Sequence, residues 1–220
     1  MALATVQDIL PTWQGMGWAT MELLYGDQTS GQGSGQVIVK NLRDPLWMLH
    51  AESKILIPSQ LRKWKAILNG LDNGRSLFLG YDFAGFYPIL YPRGTWPTGV
   101  SFSGTSAAVS AKSGKTITLS GLPAGYSGSI GDFIQVTNST GSPAKLALLQ
   151  AAETFTANGS GVTSAFEVRP TVPAWVAAAQ AAAVKKAGCH MMIIPGSIEA
   201  PKNLNARGSI SFDAIQVPIP

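Results

Sequence analysis

The 220 residues contain one cysteine, Cys189, and two histidines, His50 and His190. One cysteine cannot build an intrachain disulfide framework or a cysteine-based zinc or iron–sulfur site. The two histidines fall in neither an HxH nor an HExxH spacing, so no metal site is predicted, and no other cofactor either. Charge is also scarce: 13% of residues are Asp, Glu, Lys or Arg, against roughly 25% in an ordinary soluble domain. Disorder driven by high charge is therefore excluded. No apolar run reaches the ~18 residues of a membrane span. The nearest, Ala174 to Ala183, is interrupted by Gln180 and followed by Lys185 and Lys186, so no membrane anchor is expected. Met1 to Asp8 shows neither a basic n-region nor a long apolar h-region, so no signal peptide is expected. The sequons at Asn138 and Asn158 read as polar turns.

Apolar material is plentiful, at 45% hydrophobic residues and a mean hydropathy of +0.16. That is enough for one core of ordinary size or two small ones. With so few ionised groups, the exterior must consist largely of Ser, Thr, Gly, Gln and exposed apolar side chains. Surfaces covered by neighbours can dispense with charge, and free monomers generally cannot, so the composition favours a subunit of an assembly. The net charge of +4 does not by itself indicate nucleic acid, because the basic residues are scattered. The densest group, Arg62, Lys63 and Lys65, forms no continuous basic face.

Along the chain, Trp18 to Tyr25 reads as an extended strand. Gly26 to Gln36 follows as a glycine-rich hairpin tip, and Val37 to Val39 as a β-branched strand. The glycine spacing matches neither a Rossmann nor a Walker pattern. A helix is predicted over 59–70, with Ser59 as its cap, Leu61, Trp64, Leu68 and Leu71 on one face, and Gly70 as a left-handed terminator. Ser76 to Tyr81 follows as a buried strand, and Tyr87 to Pro97, dense in proline and aromatics, as a rigid connector. From about Thr98 to Val172 the composition turns to Ser, Thr and Gly. Short strands are predicted at Thr116–Leu119, Asp132–Val136, Lys145–Leu149 and Ala165–Val168, the pattern of a small barrel or sandwich. The Ala-rich stretch Ala174 to Lys186 carries high helix propensity. Strands resume at Met191–Ile194 and Ser209–Val217, and the last is expected to pair with an edge of the N-terminal part.

The fold class is therefore mainly β: a discontinuous β-sandwich with one packed amphipathic helix, interrupted by an inserted small β-barrel or sandwich. The expected bounds are 1–97 with 188–220 for the sandwich, 98–172 for the insertion and 173–187 for an Ala-rich connecting segment.

No motif for chemistry completes itself. Ser113-Gly114-Lys115-Thr116 resembles the end of a P-loop, but Val109 stands where its first glycine belongs and a strand follows. Gly125-Tyr126-Ser127-Gly128-Ser129 lacks the final glycine of a nucleophile elbow. Cys189 and His190 are neighbours in a strand and face opposite ways, which predicts a buried thiol and a partly exposed imidazole. A carboxylate pair for glycoside hydrolysis would draw on Asp82, Asp132 and Glu153. The expectation is that the chain is not an enzyme and has no catalytic residues.

One ordered set of motifs goes further: Arg43-Asp44-Pro45-Leu46-Trp47, then Leu61 to Leu68 around Trp64, Phe78-Leu79-Gly80-Tyr81-Asp82 and Tyr91-Pro92-Arg93-Gly94. Gly131 to Val136, Glu167-Val168-Arg169-Pro170 and Met191 to Ser197 continue it. In this order the chain resembles the minor tail proteins of long-tailed bacterial viruses, most closely the distal tail proteins. The resemblance implies a structural virion protein of the viral tail, assembled in the bacterial host cytoplasm. It implies a closed ring, a hexamer in that family, joining the tail tube protein to tail-tip hub or fibre proteins. Viral DNA would pass through the lumen without specific binding, and the second β domain would project outward. Candidate assembly contacts are Trp13, Trp18 and Trp47 with Gly31, Gly33 and Gly35 of the hairpin tip. The alternative reading is a carbohydrate-binding adhesion module of a phage tail, and behind it a cell-wall-active enzyme.

Overall fold

The computed structural model describes residues 6–10, 17–31, 37–97, 101–203 and 206–219. The fold is mainly β, with a five-stranded antiparallel sheet and a closed six-stranded barrel. The sheet has the order β1 (Gly17–Leu24), β4 (Leu46–Ser53), β15 (Ser211–Gln216), β14 (Cys189–Ile193) and β5 (Phe78–Gly80). The last strand, β15, lies at the centre, paired on one side with β4 and on the other with β14. Strand β4 alternates because one face is packed: Trp47, Leu49 and Ala51 are buried, while His50 is exposed. Phe212 and Ala214 of β15 and Cys189, Met191 and Ile193 of β14 continue the packed face.

Helix α1 (Pro58–Asn69) covers that face through Leu61, Trp64 and Leu68. Both of its ends differ from the expectation. Pro58 takes the first helical position, so Ser59 lies inside the first turn and Ile57 becomes the N-cap. The Gln60 side chain reaches back to accept from the Ile57 N–H at 3.4 Å. At the other end Gly70 stays right-handed at φ −66, because the chain turns on to bury Leu71 completely. A short 3-10 turn at Asp72–Gly74 follows, and the left-handed residues are Asp72 (φ 51) and Gly74 (φ 91). A Cβ on Gly74 would stand 2.7 Å from the Ile193 carbonyl oxygen, so glycine is required there.

The barrel runs in the order β10 (Lys145–Ala151), β12 (Phe166–Arg169), β7 (Thr116–Ser120), β6 (Ala107–Ser113), β13 (Ala181–Ala183) and β9 (Phe133–Asn138), closing back to β10. The four strands expected here are present. Ser113 to Thr116, the P-loop look-alike, is the tight β6–β7 turn, with Ser113 opposite Thr116 and Gly114 at φ +55. Strands β8 (Ser127–Gly128) and β11 (Phe155–Thr156) form a small separate ribbon. Phe155 and Phe166 stack in the interior at 3.9 Å between centroids.

The Ala-rich stretch corrects an expectation. It is neither helical nor a mere connector: β13 lies between β6 and β9 and closes the barrel. Pro170 and Pro173 precede it, Val176 is buried in the barrel core, and Ala179 is left-handed at φ 66. Pairing on two sides outweighs alanine's preference, because an isolated helix of this length is marginal in water.

Barrel and sheet share a seam. Along β10, Ala147 and Leu149 point into the barrel core, while Leu148 joins the core of the sheet. The Trp47 indole N–H donates to the Leu148 carbonyl at 2.8 Å, and its ring meets Phe133 edge-on at 5.5 Å. Trp64→Ala in α1 should lower stability by about 3–5 kcal/mol, the usual cost of truncating a buried aromatic. Denaturant unfolding followed by tryptophan fluorescence and circular dichroism checks this.

Candidate assembly surfaces

Between β1 and β4 the chain leaves the sheet as a two-stranded arm, β2 (Asp27–Gly31) and β3 (Val37–Asn41). The alternation that buries one face of β4 has no counterpart here. All five residues of β3 are exposed, with Val37 at 65% and Val39 at 57%. Leu42 and Tyr25 at the foot of the arm are exposed as well. A β-branched strand open on both faces and along one edge is an aggregation hazard unless something covers it, and Lys40 is the only charge on it.

A second surface opens where the barrel meets the sheet. Beyond Arg169 the chain turns away at Pro170, which has no N–H to donate to a ladder. A groove of about 520 Å³ opens there, lined among others by Pro45, Leu146, Leu148, Pro170, Trp175 and Gln216. A recess of about 220 Å³ beside it reaches Tyr25 and Asn41 at the foot of the arm.

A third surface is the outer face of the sheet. Trp18, Thr20, Glu22, Met48, His50 and Asp213 line a shallow recess of about 360 Å³. His50 Nδ1 and Asp213 Oδ1 make a short hydrogen-bonded contact across β4 and β15, and the Trp18 ring lies 5.1 Å from the imidazole.

Of the predicted contact residues, Trp18 is 43% exposed and Gly31 ends β2. Trp47 is a correction: at 1% exposure it belongs to the seam and is not available to a neighbour. Trp13, Gly33 and Gly35 lie outside the described residues. The arm's apolar strand was visible in the sequence as Val37 to Val39. The groove was not, because it forms only where two strands part.

The carboxylates weighed for hydrolysis each accept from backbone N–H groups. Asp82 Oδ1 accepts from the Ala84 N–H at 2.7 Å, and Glu153 Oε2 accepts from the Glu167 N–H at 3.0 Å. Asp132, 4% exposed, takes the Ile89 and Ser129 N–H groups at 2.8 Å each, which ties the proline-rich connector to the barrel. Among the described residues no three His, Cys, Asp or Glu side chains gather in a metal-binding group. No described helix is long and apolar enough to cross a membrane.

Cys189 is fully buried, and burial pushes its thiol far above the ordinary range. His190 faces the other way as expected, but it is buried rather than partly exposed. The barrel's β9–β10 loop covers it, and its Nε2 lies 2.7 Å from the Ala144 carbonyl oxygen.

Burial raises the Asp132 carboxyl above its usual 3.8, against the opposing pull of its two backbone hydrogen bonds. The folded chain therefore keeps this proton to higher pH than the unfolded chain does. Stability from this group is lost as pH climbs from 3.8 through the raised value. The unfolding free energy of wild type minus that of Asp132→Asn should fall over that interval. Paired denaturant titrations across acidic to neutral pH measure it.

No protein-family model and no curated protein matches this chain.

Proposed function

We propose that the chain is a structural protein of a bacterial-virus tail, a distal-tail or baseplate-hub subunit that closes into a ring between tail tube and tail tip. The observation that carries the reading is the arm: a wholly exposed, β-branched strand with a single charge on it, on a protein with few charges anywhere. Such a strand is consistent with permanent cover by a neighbour. A sheet capped by one helix and interrupted by an inserted barrel agrees with the architecture that the motif order implies. The carboxylates that would serve hydrolysis accept from backbone N–H groups. The tube and tip proteins are the partners of such a ring, and DNA passes through it without specific contacts.

A second reading, carbohydrate binding, is favoured by the outer recess. There the Trp18 ring stands beside the acceptors Glu22, His50 and Asp213, groups suited to a sugar's apolar face and its hydroxyls.

Sedimentation velocity and negative-stain imaging of the purified full chain test the main reading. Closed rings of uniform copy number are expected. A single 23.1 kDa species at every concentration up to the solubility limit would overturn it. Binding on a glycan array that is lost in Trp18→Ala, without rings, would favour the second reading.

A further inference from the structure

We propose that the outer face of the five-stranded sheet receives helix α1 of a second copy, the carboxylates of the one meeting the basic side chains of the other. This rests on the ring-subunit reading and names a contact within it.

Charge is scarce in the chain, yet here it is sorted by sign. The five strands of the sheet contain no Lys or Arg, and α1 contains no Asp or Glu. Directly opposed residues of a ladder point to the same face, so the register fixes what the outer face presents. Trp18, Glu52, Ser211 and Glu199 form one row, and Thr20, His50 and Asp213 the next. Glu22, Met48 and Ile215 form a third. Of the chain's 12 acidic residues, Glu22, Glu52, Glu199 and Asp213 thus stand on one face. Trp18 and Met48 give that face the apolar part of its recess of about 360 Å³.

The helix is the counterpart. Leu61, Trp64 and Leu68 tie it to the inner face of its own sheet. With about 3.6 residues per turn, Lys63 then points away from that contact, and Arg62 and Lys65 lie on one flank. All three are exposed. The 12 residues of α1 span ~18 Å, which fits along the 8-residue β4 at ~26 Å. The helix is about 10 Å wide, and β1 to β15 lie about 10 Å apart across the face. An arginine guanidinium can stack on an indole as well as bond a carboxylate, so the recess beside Trp18 suits it.

Helix and outer face lie on opposite sides of one sheet, so no copy can bring its own pair together. The contact is therefore heterologous: each copy offers its helix to one neighbour and its sheet to the other, and a rotation closes the ring. The same recess could seat a sugar, but a face with four carboxylates and no Lys or Arg in its strands favours a cationic partner. Complementary charge of this kind selects the partner and fixes its register.

The test compares wild type with three full-length variants by sedimentation velocity and negative-stain imaging. The first reverses the helix, with Arg62→Glu, Lys63→Glu and Lys65→Glu together. The second reverses the face, with Glu22→Lys and Glu52→Lys, and the third carries all five changes. Each should keep the wild-type melting curve, because Arg62, Lys63, Lys65 and Glu22 are exposed and Glu52 is half-buried. In the first and second, like charges meet, and the concentration at which rings form should rise more than about tenfold. In the third, opposite charges meet again and rings should return. If a reversal lowers the melting temperature, Gln at the same positions replaces it and should shift ring formation the same way. Undiminished rings in the first or second variant would overturn this contact and leave the ring reading standing. So would loss in both without recovery in the third, or Trp18-dependent glycan binding by intact wild-type rings. A wild type that stays monomeric at every concentration would overturn both.

Discussion

The structure depends on the seam at which Trp47 meets Leu148. A tryptophan can be buried only if its indole N–H finds an acceptor, and here the acceptor is a main-chain carbonyl of the inserted barrel. One strand, β10, thereby serves two hydrophobic cores, with Leu148 on one side and Leu149 on the other. Gln135 accepts from the Gly188 N–H at 3.0 Å, and Asp132 holds the connector from the opposite flank. Barrel and sheet are thus fastened at their point of contact as well as along the chain. This fixes where the groove lies relative to the arm.

The scarcity of charge has a structural counterpart. Some carboxylates accept from backbone N–H groups, and others pair with a distant side chain, as Asp213 does with His50 and Asp8 with Lys186 at 2.8 Å. The Lys186 ammonium also lies 4.9 Å from the ring centre of Tyr81, whose hydroxyl is pushed up to about 12 by burial and by the nearby Asp8. Other charged side chains, Arg62, Lys63 and Lys65 among them, lie exposed, and so do apolar ones such as Val37, Val39 and Leu42.

Much of this was legible in the residues. Strands β7, β9 and β12 alternate because the barrel has an apolar inside and a polar outside, and period two survives in sequence. The face of α1 could be read for the same reason, through Leu61, Trp64 and Leu68. Strand β13 could not be: three alanines carry no alternation, and their local preference points to helix. Their role comes from the two strands they fit between. Trp47 gave no sign of which partner it would find, since Leu148 is 101 residues away. The groove was hidden for a related reason. Pro170 is plain in the sequence, but the space it opens depends on β10 continuing straight where β12 leaves.

The pairing of β6 with β13 sets Ala107 and Ala182 side by side, so the barrel begins and ends at one place. An insertion with adjoining ends can be exchanged during evolution without stretching its host, and a different module could be grafted at the same two points. The seam limits that freedom. Any replacement must also present an apolar side chain and a carbonyl where Leu148 now stands, or Trp47 is left facing water. Descendants of this architecture should vary most at the far end of the barrel and least at the wall that seals the sheet.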